Sequence, residues 1–162
     1  MENNGLVHPN EIGLEVSSKD QTIDLINQLL ADYQVYFQNL RGLHWNIQGP
    51  NFFTLHEKFE ELYGEASDNI DMIAERVLIL GGVPLHSLEE YVAHSNIDSL
   101  THVTTDREAV SSIKANNQVL IADLRKLIEA ASQQGDEGTA DMATEVLRSL
   151  EKNVWMLGAY LR

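Results

Sequence analysis

The chain has no cysteine, which removes disulfides, thiolate metal sites and a cysteine nucleophile in one step. It has no apolar run near the roughly 20 residues that a membrane-spanning helix needs. The opening MENNGLVHPNEIG carries neither the basic segment nor the apolar one that a secretory signal requires. These three absences point to a cytoplasmic protein without a membrane partner. Cations are scarce as well: 11 Lys and Arg stand against 25 Asp and Glu, for a formal net charge of −14. Near the N-terminus Glu2, Glu11, Glu15 and Asp20 face only Lys19, the wrong sign for an arm that would neutralise phosphates. The closing GAYLR adds no basic tail. Direct DNA binding is therefore not expected, whereas cations should be attracted.

Alternating strand patterns are also missing; what is present is helical. Apolar residues recur at 23, 26, 30, 33, 37 and 40, the stripe of an amphipathic helix. A second stripe runs through Leu55, Phe59, Leu62, Ala66, Ile70, Ile73, Val77 and Leu80. A third takes Val110, Ile113, Leu120, Leu124, Leu127 and Ala131, and a fourth Ala143, Val146, Leu150, Val154, Leu157 and Leu161. Ser18 with Gln21, and Thr105 with Glu108, have capping-box spacing. Gln48-Gly49-Pro50-Asn51 should stop the first helix and cap the second, and Gly81-Gly82-Val83-Pro84 should end the second.

Connection lengths then choose a topology. The first and third links are short, so the four helices form two antiparallel hairpins; the second, roughly 81 to 104, is too long for a hairpin. Two hairpins joined by a long crossover make an all-α, ferritin-like four-helix bundle, with a short extra helix expected over Ser87 to His94. The organisation expected is an acidic, partly flexible N-terminal extension over 1–17 followed by the bundle over 18–162.

Bundles of this class usually hold two irons through Glu-x-x-His pairs, and this chain has none: Gly5, Arg41, Phe53, Val83, Tyr91 and Ser99 precede its six histidines by three. The second helix offers another route. His56 and Glu60 are four apart and share a face; Asp71 and Glu75 repeat the spacing. All four fall on a stripe about 100° wide, but Glu60 and Asp71 are separated by roughly 16 Å along the axis. One metal cannot bridge that. Two such helices crossing antiparallel about a twofold axis would bring His56 and Glu60 of one chain to Asp71 and Glu75 of the other. Gly64 and Ser67, between the two pairs, would let the helices approach closely. His44, across the hairpin, can join His56. Imidazoles mixed with carboxylates suit iron, with zinc or manganese as competitors.

The stretch LHWNIQGPNFFTLHEKFEELY, followed by DNIDMIAERVLILGG, resembles the signature of the Dps mini-ferritins, and the likeness extends over roughly residues 20 to 161. The resemblance implies a hollow dodecamer built from twofold dimers, a ferroxidase that oxidises Fe(II), preferentially with hydrogen peroxide, and storage of the ferric product inside the shell. Carried over by position, His44, His56 and Glu60 come from one subunit and Asp71 and Glu75 from its twofold mate, holding up to two irons per site. Trp45 matches the tryptophan beside the family's site, where an indole can intercept stray oxidising equivalents. Glu57 and Glu61 correspond to nucleation acids on the cavity wall. Asp136, Asp141 and Glu145 resemble acids of the threefold pores, and they also read as an acidic first turn favoured by the helix dipole. The family usually has Asp where this chain has Glu60; the extra methylene moves the carboxylate about 1.5 Å outward and alters the spacing of two irons or the affinity for the second. Two other readings remain: a non-enzymatic scaffold dimer held by zinc, and a DNA-compacting protein.

Overall fold

The computed structural model describes residues 9–15 and 21–162. Its described elements are five helices: α1 (Gln21–Asn46), α2 (Phe52–Ile79), α3 (Leu88–His94), α4 (Asp106–Gln133) and α5 (Glu137–Tyr160). The four long ones form the bundle. α1 pairs with α2, α4 pairs with α5, and α1 also lies against α4 and against the short α3. Every residue of the four apolar stripes is either buried or packed against the core; Phe37, Ile70, Val154 and Leu161 sit at its margin. No described helix is long and apolar enough to cross a membrane.

Helix ends explain where the chain turns. α2 and α4 both stop in the same way, with a glycine at positive φ directly after the C-cap. Gly81 (φ 86°) donates to the Leu78 carbonyl and Gly82 to that of Val77, at 2.9 Å each. Gly135 (φ 70°) donates to Ser132 at 3.2 Å and Asp136 to Ala131 at 2.9 Å. This double bond back onto the last turn satisfies carbonyls the helix leaves open. Gly82 is held to glycine by packing. A Cβ there would lie 2.9 Å from Ile23 Cγ2 and 3.0 Å from Val77 Cγ1. Gly82→Ala is expected to lower stability by about 1–3 kcal/mol through overpacking, read as a fall in Tm without loss of helical circular dichroism.

Two capping expectations are corrected. Thr105 is the N-cap of α4, but its side chain makes no bond to the helix backbone; it donates to Glu108 Oε2 at 3.5 Å instead. Asn51 sits at the N-cap position of α2 without capping it; its amide donates to Asp106 Oδ2 and to Tyr160 Oη, at 2.8 Å each. The start of α2 is thus tied to the start of α4 and the end of α5. Ser18 lies outside the described residues, as does the 17/18 boundary of the expected extension. A capping box does exist at Ser87 and Glu90, where it starts α3, the expected short helix.

The crossover is ordered by polar side chains of α1. Asn27 donates to the Val83 carbonyl and accepts from the Leu85 amide; Gln28 donates to the His94 carbonyl at 2.7 Å. Asp32 accepts from Ser95 Oγ and the Asn96 amide, and Asn39 bonds Asp98 O and the Leu100 amide. These rungs follow α1 from one end toward the other. The backbone of the crossing therefore has partners where it leaves water, and it is a strap rather than a floppy loop.

Candidate metal centre

The tight α1–α2 turn carries the two histidines to one place. His44 lies in the last turn of α1 and His56 in the second turn of α2. Gly49 (φ 106°) allows the reversal between them, and the Gln48 amide is anchored on the Thr104 carbonyl at 2.9 Å. The imidazoles stack with centroids 3.8 Å apart and planes inclined by 19°. Each ring also bonds the other's backbone. His44 Nδ1 lies 2.8 Å from the His56 carbonyl, and His56 Nδ1 lies 2.7 Å from the His44 carbonyl.

A carbonyl can only accept, so each Nδ1 carries its hydrogen, and in the neutral ring Nε2 keeps its lone pair for a metal. Such a bond on the far nitrogen is how metal-binding histidines are oriented. The His44 carbonyl is one of the last four of α1, which have no partner inside the helix, so the same contact satisfies an open helix end. Glu60, one turn beyond His56, completes a cluster in which a ligand atom from each residue lies within 4.8 Å of the others. Burial is graded across it: His44 is 9% exposed, His56 is intermediate and Glu60 is at the surface. The cluster therefore opens outward on its carboxylate side.

Asp71 and Glu75 are also exposed, on the same helix but beyond reach of the cluster, and neither makes a hydrogen bond or ion pair among the described residues. A single chain brings three of the five expected ligands together and leaves two apart. Gly64, between the pairs, has open space beside its Cα. Trp45 is 57% exposed with the Arg41 guanidinium 4.8 Å from its ring centroid. Glu57 and Glu61 are exposed and line one groove with Met156 and Tyr160, and Glu61 is paired with Lys58 at 2.9 Å.

The three acids expected together near the α5 start are not equivalent. Asp141 and Glu145 are exposed. Asp136 is 2% exposed and is the N-cap of α5, accepting from the Thr139 amide at 3.0 Å and from Arg76 at 2.5 Å. Its charge is neutralised inside the fold, because the helix start and the guanidinium both draw it inward. Glu145 instead shares a groove with Glu65 and Asp68 of α2, two acids that spacing on α5 alone could not have paired with it. Sequence reasoning also missed the aromatic residues around the imidazoles. Phe52 stacks near His56 at 5.0 Å and 27°, and Tyr63 meets His44 edge-on at 5.4 Å and 83°. The i, i+4 spacing of Phe52 and His56 was the available signal.

Residues 23–162 match the family model described as a ferritin-like domain. The chain is 41% identical over 141 residues to DNA protection during starvation protein 2 of Bacillus anthracis, covering 87% of this chain and 97% of that one. It is 44% identical over 137 residues to the DNA protection during starvation protein of Brevibacillus brevis, covering 85% and 92%. The crystal structure of a Dps protein from Vibrio cholerae O1, described as a ferritin-like diiron-carboxylate protein, superposes with a TM-score of 0.92 at 40% identity. That superposition covers 95% of this chain and 97% of the other.

Proposed function

Because this chain belongs to the Dps family of ferritin-like proteins, we propose that it oxidises Fe(II) with hydrogen peroxide at sites completed by a second copy of itself. The observation that carries this reading is the reciprocal tethering of His44 and His56 through Nδ1, which leaves both Nε2 atoms free in a cluster with Glu60. Asp71 and Glu75 of the twofold mate supply the remaining carboxylates, on the face that Glu60 leaves open. The ion taken up here is the substrate.

The stacking also bears on how many ions a site takes. Each Nε2 lone pair lies in the plane of its own ring, and the two planes are nearly parallel. An ion about 2 Å from one nitrogen cannot lie in both planes. Two ions about 3.5–4 Å apart, one per imidazole, match the ring spacing. Glu60, longer than Asp, has the reach to span both. Two Fe(II) then give one electron each, the O–O bond of peroxide breaks, and both oxygen atoms leave as water or hydroxide. Taking the electrons as a pair avoids release of hydroxyl radical. Trp45 intercepts a stray one-electron oxidant at the rim.

Iron reaches the site down a gradient of carboxylates, Asp141 and Glu145 first and then the groove shared with Glu65 and Asp68. Hydrolysed Fe(III) deposits at Glu57 and Glu61 inside a hollow dodecamer in the cytoplasm. DNA is protected by removal of the reagents that damage it, because an acidic shell does not adsorb to phosphates. Anaerobic Fe(II) loading followed by peroxide tests this on protein of measured assembly size. Two Fe(II) should be consumed per peroxide, and plasmid DNA in the same mixture should escape nicking with no change of mobility at about 0.15 M salt. Nicking at the rate of protein-free iron and peroxide would reject the reading.

A further inference from the structure

The two imidazoles do not stand alone. The rings follow the order Phe52, His56, His44, Tyr63, Phe37, with centroid separations of 5.0, 3.8, 5.4 and 6.1 Å. Arg41 closes the row, its guanidinium 5.3 Å from the Phe37 centroid. Each histidine thereby meets two rings, the other imidazole and one further aromatic side chain. The Nδ1–H bonds fix one point of each imidazole, and a ring held at a single hydrogen bond can still swing about its Cβ. Phe52 blocks that swing for His56 and Tyr63 blocks it for His44. Both blocking residues lie on α2, so the helix that carries His56 and Glu60 also sets the pose of His44, which belongs to α1.

We propose that Phe52 and Tyr63 are positioning residues of the metal centre, clamping the His44–His56 pair in the stacked pose that offers both Nε2 atoms to metal. The inference rests on the reading of His44, His56 and Glu60 as ligands. Its physical content is preorganisation: a ligand held within a fraction of an ångström of its binding pose loses little freedom when the ion arrives. An aromatic ring suits the task because it is stiff and flat and can meet an imidazole by face or edge. The Tyr63 hydroxyl has no part in the clamp, since the contact is made by the ring.

Co(II) titration of the assembled protein, followed by visible absorption, tests this without turnover. Phe52→Leu and Tyr63→Leu are expected to bind Co(II) about 10- to 100-fold more weakly than the wild-type chain. Tyr63→Phe should restore the affinity lost in Tyr63→Leu. Elution volume and Tm, measured alongside, separate a lost pose from a lost fold, and Phe52→Tyr serves as the milder partner of Phe52→Leu. Both leucine variants binding Co(II) as tightly as the wild type would overturn the clamp while leaving the ligand assignment standing. Tyr63→Phe binding as weakly as Tyr63→Leu would overturn the role of the ring. A wild-type chain that takes up no Co(II) would remove the ligand assignment itself, and the clamp with it.

Discussion

Mixing two inactive variants is expected to restore activity. His44→Ala with His56→Ala removes the imidazole half of a shared site, and Asp71→Ala with Glu75→Ala removes the carboxylate half. Each double variant alone should oxidise Fe(II) at least about a hundredfold more slowly than the wild-type chain, since loss of an outer support alone costs 10- to 100-fold. In a mixed twofold dimer the two defects fall in one site, and the other site is complete. Random pairing at equal amounts leaves about a quarter of all sites intact. Co-expressed chains should therefore show about a quarter of wild-type activity, far above the sum of the separate variants. The reason lies on one helix: His56 and Glu60 sit near one end of α2 and Asp71 and Glu75 about 16 Å along it, so one chain cannot close the site by any rotamer change. Co-assembled chains no more active than the two variants summed would show that each chain binds iron with its own residues alone.

The fold was readable because burial follows helical periodicity with few exceptions. Phe59, Leu62 and Ala66, and again Ile73 and Val77, follow at three- and four-residue spacing, and all five are at most 2% exposed. Link lengths then separated the hairpins from the crossover. Polar residues were less legible. Asn27, Gln28, Asp32 and Asn39 lie outside the apolar stripe of α1, yet Asp32 is fully buried beneath the crossover. Nothing local marks such a residue, because its partners lie dozens of positions away on a segment without periodicity. Asp136 stayed open between two readings for a related reason. An acid at the start of a helix can face a pore or cap the helix, and the decision belongs to Arg76, 60 residues upstream. At the metal centre the spacing of His56 and Glu60 was plain in the sequence. The hydrogen bonds that orient the imidazoles were not, since they depend on how tightly the turn folds back.

Asparagine in place of Asp123 is expected to be tolerated, and increasingly so as pH rises, whereas alanine in place of Asp32 should damage the fold. Both carboxyls are buried, at 4% and 0% exposure. Asp32 accepts from Gln28 Nε2 and Ser95 Oγ at 2.9 Å and from the Asn96 amide at 2.5 Å. Asp123 accepts from Lys126 at 2.8 Å on one oxygen, and its Oδ2 is buried with no donor among the described residues. The neighbours facing the pair are Gln28 on α1, Ser95 and Asn96 on the crossover, and Lys126 on α4; the His94 ring is turned away, bonded to the Glu90 carbonyl. Asp123 lies close enough to Asp32 to push its carboxyl up, and a proton placed between two buried carboxylates would let each satisfy the other. Burial is the largest influence holding the Asp32 carboxyl above its usual range, and Asp123 adds to it against the pull of the three donors. A carboxyl raised in the folded state contributes stability below its ordinary value of 3.8 and loses it as pH climbs through the raised one. Asp123→Asn places an N–H where the proton lies and keeps an oxygen for Lys126. The Tm of the wild-type chain should therefore fall relative to Asp123→Asn as pH rises above the ordinary carboxyl value of 3.8, by at most about a tenfold change in folded-to-unfolded ratio per pH unit. Parallel Tm curves would mean that no proton is shared. Asp32→Ala strands the Asn96 amide, takes one acceptor from Gln28 and one from Ser95, and releases the strap at Ser95 and Asn96, a loss of about 1–3 kcal/mol, with faster amide exchange at Asn96. The asymmetry discriminates: two acids that merely repelled each other would both improve when neutralised, whereas an acid that also anchors the crossover cannot be spared.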